Sequence, residues 1–348
     1  MWIPSYADSF AVLLLQAAED GRGPVLFGDS LSRAREAVSP FLVGEPFPSI
    51  YLEHPLMDEP FLDVMVLYGE VEKGTRISSP AAGEHAAMFD WYAQAKQEYT
   101  DITCGFELDT KERVLPTSAL HFQLREHYEL VLPFCESIGE PERAKLFLDM
   151  AHRMPPGWEL SFFGLFRGRP SAPMRVCGYL NVKEQRACAH NSGKLTELFD
   201  TVDFSAYNEC MIEQLSTLLA AAPGPVDFQF DVYPDGSLSD VFAIDIQFEI
   251  KRPQAVLVSF TEGKAGEVMR LFEQWGAADN RWKMAIESAF ARAISVELDK
   301  EAMRRYAFTL MPQWAKARWI GAELQAAKLY HLASATLLSQ NDEMVSAF

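Results

Sequence analysis

The sequence is short of positive charge: 31 Lys and Arg stand against 49 Asp and Glu, a formal net charge of −18 over 348 residues. Binding a nucleic-acid backbone by counterion release needs a concentrated Lys/Arg footprint, and none occurs, so that class of partner is excluded. Docking on an anionic membrane surface fails on the same ground. No apolar run approaches the ~18 residues needed to span a bilayer. Five cysteines, at 104, 135, 177, 188 and 210, are scattered without a Cys-x-x-Cys pair, which argues against a disulfide framework or a zinc site. The opening stretch MWIPSYADSFAVLLLQAAEDG has no basic region before its apolar segment and reads as an amphipathic helix, not a signal peptide. The expected location is cytoplasmic. Phosphate-loop, dinucleotide-binding, nucleophile-elbow and His-Glu-x-x-His motifs are all missing.

What is present is ample core material, with 49% hydrophobic and 12% aromatic residues, punctuated by Gly and Pro into units of one pattern. Each unit is helical sequence followed by two extended runs. The first has helices over 7–19 and 30–41, then strands 49–53 and 62–68. The second has a helix over 84–98, then strands 101–109 and 118–125. Two helices, HYELVLPFCESIG and PERAKLFLDMAHRM, precede strands 158–166 and 174–182. Helices over 192–201 and 206–222 precede strands 226–233 and 239–250, joined by the turn Pro234-Asp235-Gly236. The fifth unit has helical sequence over 263–293, a helix over 299–310, and strands 314–321 and 326–333. No low-complexity linker interrupts the series, so one domain over 1–348 is expected.

Successive residues of a strand face opposite ways. One phase is apolar throughout, as in Val64 and Val66, Leu120 and Phe122, or Phe242, Ile244 and Ile246, and should pack beneath the helices. The other phase is polar. It holds Tyr51, Glu53, Asp63, Glu107, His121, Gln123, Arg125, Glu159, Arg175, Tyr179 and Asn181. In the fourth hairpin it holds Asp227, Gln229, Asp231, Asp245, Gln247 and Glu249. Helices can cover only one face of such a sheet, and closing it removes its edges. The expected fold class is α+β: repeated helix-helix-strand-strand units forming a ten-stranded antiparallel barrel, ringed by helices, around a polar lumen.

That order of elements resembles the ABBA-type prenyltransferase (PT-barrel) family, which includes the aromatic and the cyanobactin peptide prenyltransferases. The resemblance lies in element order over most of the chain and is weak in motifs. It implies a transferase that moves an isoprenyl group from an allylic diphosphate to a small aromatic or peptide acceptor, as in secondary metabolism. Family members are similar in holding the diphosphate with strand-borne Lys, Arg and Tyr. The matching residues here are Arg175, Lys316, Arg318 and Lys328, with Tyr179 and Tyr330 shielding the carbocation. Glu53, in SIYLEHP, resembles the acceptor-side base of the fungal indole prenyltransferases, and Glu107 is a second candidate for the catalytic base. The acidic fourth hairpin and the single helix of the second unit depart from the family pattern.

His121, Gln123, Asp227, Gln229, Asp245, Gln247 and Glu249 are the candidate acceptor-binding set. Four carboxylates of the fourth hairpin, Asp227, Asp231, Asp245 and Glu249, crowded on one face need neutralising, by water, by Mg²⁺ or Ca²⁺, or by a cationic substrate. Mg²⁺ is therefore the one cofactor to consider. The same residues also suit a solvated sheet face, as Lys316, Arg318 and Lys328 suit an exposed hairpin. Two rival readings follow. One is a non-catalytic barrel whose acidic lumen binds a cationic small molecule or peptide, and the other is an open sheet serving as an interaction module.

Overall fold

The computed structural model describes residues 2–3, 14, 18–42, 48–71, 73–77, 85–111, 118–169, 171–299 and 302–338. Of the helix expected over 7–19, only residues 14, 18 and 19 fall among these.

Ten strands, numbered here in chain order, form the barrel: β1 Ser49–Pro55, β2 Asp63–Tyr68, β3 Thr103–Leu108, β4 Ala119–Gln123, β5 Trp158–Leu165, β6 Met174–Leu180, β7 Val226–Val232, β8 Leu238–Gln247, β9 Ala302–Ile320 and β10 Lys328–Leu337. Each pairs antiparallel with the next, and β10 pairs back onto β1 with Tyr330 opposite Glu53. The circle closes, which removes the open-sheet reading. The closing segment is the second half of β9, where Trp314–Ile320 pairs with β8 and Trp314–Lys316 also pairs with β10.

Two expectations fail in the fifth unit. Of the segment 299–310, expected as a helix, residues 302–310 are strand and form the first part of β9. Strand Phe290–Asp299, in place of the end of the expected 263–293 helix, pairs beside it. Neighbours on both sides overrode helix propensity, and the alternation of buried Tyr306, Phe308 and Leu310 marks the strand face. The remaining helical sequence forms Lys264–Gln274 and Arg281–Glu287, separated at Gly276, where φ is 70°.

The apolar phase faces outward under the helices. Phe122 of β4 stacks on Phe134 of helix Val131–Ser137 at 4.4 Å, and Phe163 of β5 meets Phe147 of helix Glu142–Arg153 at 5.2 Å. Asn181 does not belong to the inward face. Its side chain accepts a hydrogen bond from the Glu184 amide at 3.0 Å, capping helix Val182–His190. Asn208 caps Glu209–Ala221 in the same way. No helix among the described residues is long and apolar enough to cross a membrane.

Candidate active site

Alternation dictates the lumen. On β6, β7, β8 and β9 the inward residues are Arg175, Asp227, Gln229, Asp231, Asp245, Gln247, Trp314, Lys316 and Arg318, and register places Asp245 opposite both Asp227 and Lys316. The lumen has two connected parts. A wide chamber of about 590 Å³ is lined by Tyr51, Met65, His121, Phe162, Asp227 and Trp314, among others. A narrow pocket adjoins it, sharing Glu53, Glu107, Arg175, Gln229 and Lys316 with the chamber wall. The chamber is of the size that holds a small-molecule ligand.

Five cations line the narrow pocket: Arg169, Arg175, Lys316, Arg318 and Lys328. Four have carboxylate partners. Arg175 donates Nε and Nη2 to Asp231 at 2.8 and 3.2 Å, and both residues are buried. Arg169 Nη2 donates to Glu107 at 2.9 Å, Lys328 donates to Glu53, and Lys316 Nζ stands 3.7 Å from Asp245. Among the described residues Arg318 makes no ion pair within 4 Å, and its Nε is buried without a hydrogen-bond partner. Burial, with the guanidinium groups of Arg175 and Arg169 nearby, holds its pKa below the ordinary value. An incoming anion would relieve both effects.

Glu53 and Glu107 sit where pocket and chamber meet. Burial opposes their ionisation, but Lys328 and Lys316 keep Glu53 below the usual carboxylate range. His121, at 3.1 Å, and Arg169 hold Glu107 well below it. Gly164 lies against His121 on the next strand. A Cβ there would stand 2.7 Å from His121 Cε1, so the glycine makes room for the ring that contacts Glu107.

Aromatic faces line the way from pocket to chamber. Lys316 Nζ lies 5.1 Å from the Tyr330 ring centre, Trp314 stands 5.4 Å from Tyr330, and Tyr51 4.5 Å from Trp314. Tyr179 is not part of this series. It lines the chamber but not the cationic pocket, and its half-buried hydroxyl donates to Glu159. Phe166 sits under Arg169 and Arg175 instead, at 3.9 and 4.4 Å.

Asp227, Gln229, Asp245 and Gln247 of the acidic hairpin line the chamber. Gln247 Nε2 donates to Asp227 at 3.1 Å, Gln229 donates to Asp245, and the Thr103 hydroxyl donates to Gln123 Oε1 at 2.6 Å. Glu249 is the exception. It is exposed beyond the end of β8 with φ 52°, so it leaves the strand and the lumen. Burial, and then Asp245, push Asp227 up to about 7, and burial raises Asp245 to about 6 despite Lys316. Among the described residues no group of three or more His, Cys, Asp or Glu is arranged to hold a metal ion.

A raised carboxyl pKa costs stability at high pH. As pH climbs from 4 toward 7 an unfolded Asp227 ionises freely while the folded one resists, and the penalty levels off once pH has passed the folded value of about 7. Asp227→Asn is therefore expected to be more stable than the parent at pH 8, by up to about 4 kcal/mol, and nearly equal to it at pH 4. Urea unfolding at the two pH values checks this, and an equal difference at both would contradict it.

Arg169, Trp314 and Tyr51 were not among the candidate site residues. Tyr51 and Trp314 carried a signal: each shares strand phase with a candidate, Glu53 and Lys316 respectively. Arg169 lies in the turn after β5, where no periodicity marks it.

A closed antiparallel barrel of ten strands, with helices outside and a polar lumen, is the PT-barrel architecture of the ABBA-type prenyltransferases. Solved structures bear out the likeness of fold. The 5-dimethylallyltryptophan synthase from Streptomyces coelicolor matches with a TM-score of 0.52 at 11% identity, covering 95% of this chain and 98% of that one. A second structure of that synthase, in complex with DMASPP and Trp, matches with a TM-score of 0.50 at 12% identity, over 95% and 96%. The apo form of the prenyltransferase PriB gives the same scores and coverage. No protein-family model matches the sequence, and no curated protein matches it significantly.

Proposed function

We propose that the protein is a prenyltransferase that ionises an allylic diphosphate in the narrow pocket and delivers the allyl group to an aromatic or peptide acceptor in the chamber. One observation carries this reading: five cations converge on one end of a lumen whose aromatic faces lead to a ligand-sized chamber. The structural neighbour in complex with DMASPP and Trp supports an allylic diphosphate and an aromatic acceptor in a barrel of this shape.

In this reading Lys316, Arg318, Lys328 and Arg175 hold the diphosphate. The allylic C–O bond breaks with its electron pair passing to the leaving oxygen, where these preorganised cations stabilise the charge. The faces of Tyr330 and Trp314 stabilise the allyl cation by about 0.5–2 kcal/mol each. A nucleophilic atom of the acceptor supplies the electron pair of the new C–C or C–N bond. The proton it loses passes to Glu53 or Glu107. Ion pairing keeps both ionised, and a weak base suffices because the alkylated acceptor is a strong acid. Any Mg²⁺ would arrive on the phosphate oxygens of the donor.

The test is thermal. Dimethylallyl and geranyl diphosphate are each expected to raise Tm by several degrees at ligand concentrations near 100 Kd, a stabilisation of about 2.7 kcal/mol. Inorganic sulfate at equal ionic strength should not. Equal shifts from sulfate, or none from either diphosphate, would defeat the proposal.

A further inference from the structure

The acidic wall of the chamber has no part in holding the donor, yet it is built. Asp227 and Asp245 stand directly opposite each other on β7 and β8. In each, Oδ2 already accepts from a glutamine amide, Gln247 for Asp227 and Gln229 for Asp245. Asp245 is 6% exposed, and its buried Oδ1 accepts no hydrogen bond; the Lys316 ammonium stands 3.7 Å from it. Asp227 has no ion pair among the described residues. A separate group lines the same chamber. Tyr330, 3% exposed and lining the same chamber from β10, leaves its hydroxyl without a hydrogen-bond partner.

Charge balance sharpens the point. The five carboxylates that line pocket and chamber nearly cancel the six cations that line them. A diphosphate adds roughly three negative charges. It would also draw Lys316 away from Asp245, leaving two facing carboxylates without a cation. A neutral acceptor would leave that arrangement to be relieved only by taking up a proton, whereas a group with two or more N⁺–H donors answers it as carboxylates.

We infer that the acceptor carries a protonated nitrogen group, a guanidinium or an ammonium, held between Asp227 and Asp245. The word acceptor rests on the proposed transferase reading, while the cation subsite rests on the two carboxylates. Because Lys316 lies between the subsites, donor and cation bind with positive coupling.

Calorimetry with the intact protein tests this, using N-acetylagmatine and N-acetylputrescine as cationic probes and N-butylacetamide as the neutral one. At least one cationic probe is expected to bind, the neutral one not, and dimethylallyl thiolodiphosphate should tighten the cation severalfold. In Asp227→Asn/Asp245→Asn the cation should weaken by at least about tenfold, with the thiolodiphosphate still bound. Equal binding of charged and neutral probes, failure of every probe, or equal cation binding by parent and double variant would overturn the inference. If the cation binds and the thiolodiphosphate does not, the transferase reading falls and the subsite stands.

Discussion

Lys316→Gln is expected to lower kcat/KM for the prenyl transfer by about 10²–10³, the usual cost of removing one preorganised donor to a developing anion. The residue is buried and stands where pocket and chamber meet, 5.1 Å from the Tyr330 ring and 3.7 Å from Asp245. Stability should change little, because Asp245 already resists ionisation and can be protonated when its partner is lost. The loss should fall mainly on kcat, since charge on the leaving oxygens grows toward the transition state. Single-turnover kinetics alongside urea unfolding checks both halves. A variant that loses stability and activity together would assign Lys316 to the scaffold.

The second large effect is structural. Arg175 and Asp231 form a buried two-point ion pair across β6 and β7. Arg175→Met should destabilise by about 3–5 kcal/mol, because it strands the Asp231 carboxylate in the barrel wall. Asp231→Leu in the same chain should recover most of that loss, as buried pairs are often replaceable by apolar side chains. Neither variant should bind the diphosphate with parental affinity. Denaturant unfolding of the single and double variants, paired with thiolodiphosphate binding, separates the two roles. A double variant as unstable as the single one would contradict the ion-pair account.

The sequence made the barrel legible for a physical reason. A closed sheet with helices outside imposes strict alternation, so Glu53, Asp227 and Asp245 announced their inward face by phase alone, whereas Lys316 and Lys328 stood out only through the family resemblance. Register is what phase cannot give. Nothing in WAKARWIG says that Lys316 lies opposite both Asp245 and Lys328, because pairing is decided by long-range contacts. Strand ends were also hidden. Glu249 keeps the alternation but follows the point where the chain turns, with the Phe248 amide bonded to the Gln313 carbonyl. Arg169 was missed because its place depends on a turn folding back over the pocket. The helix expected over 299–310 shows propensity losing to pairing, since residues 306–310 have a strand on either side.

Co-crystallising the protein with dimethylallyl thiolodiphosphate would probe the account at its root. The phosphates should lie within hydrogen-bond reach of Lys316, Arg318 and Lys328, with the dimethylallyl tail against Tyr330 and Trp314. Phosphates bound outside the lumen, or a lumen left unoccupied at saturating ligand, would contradict it.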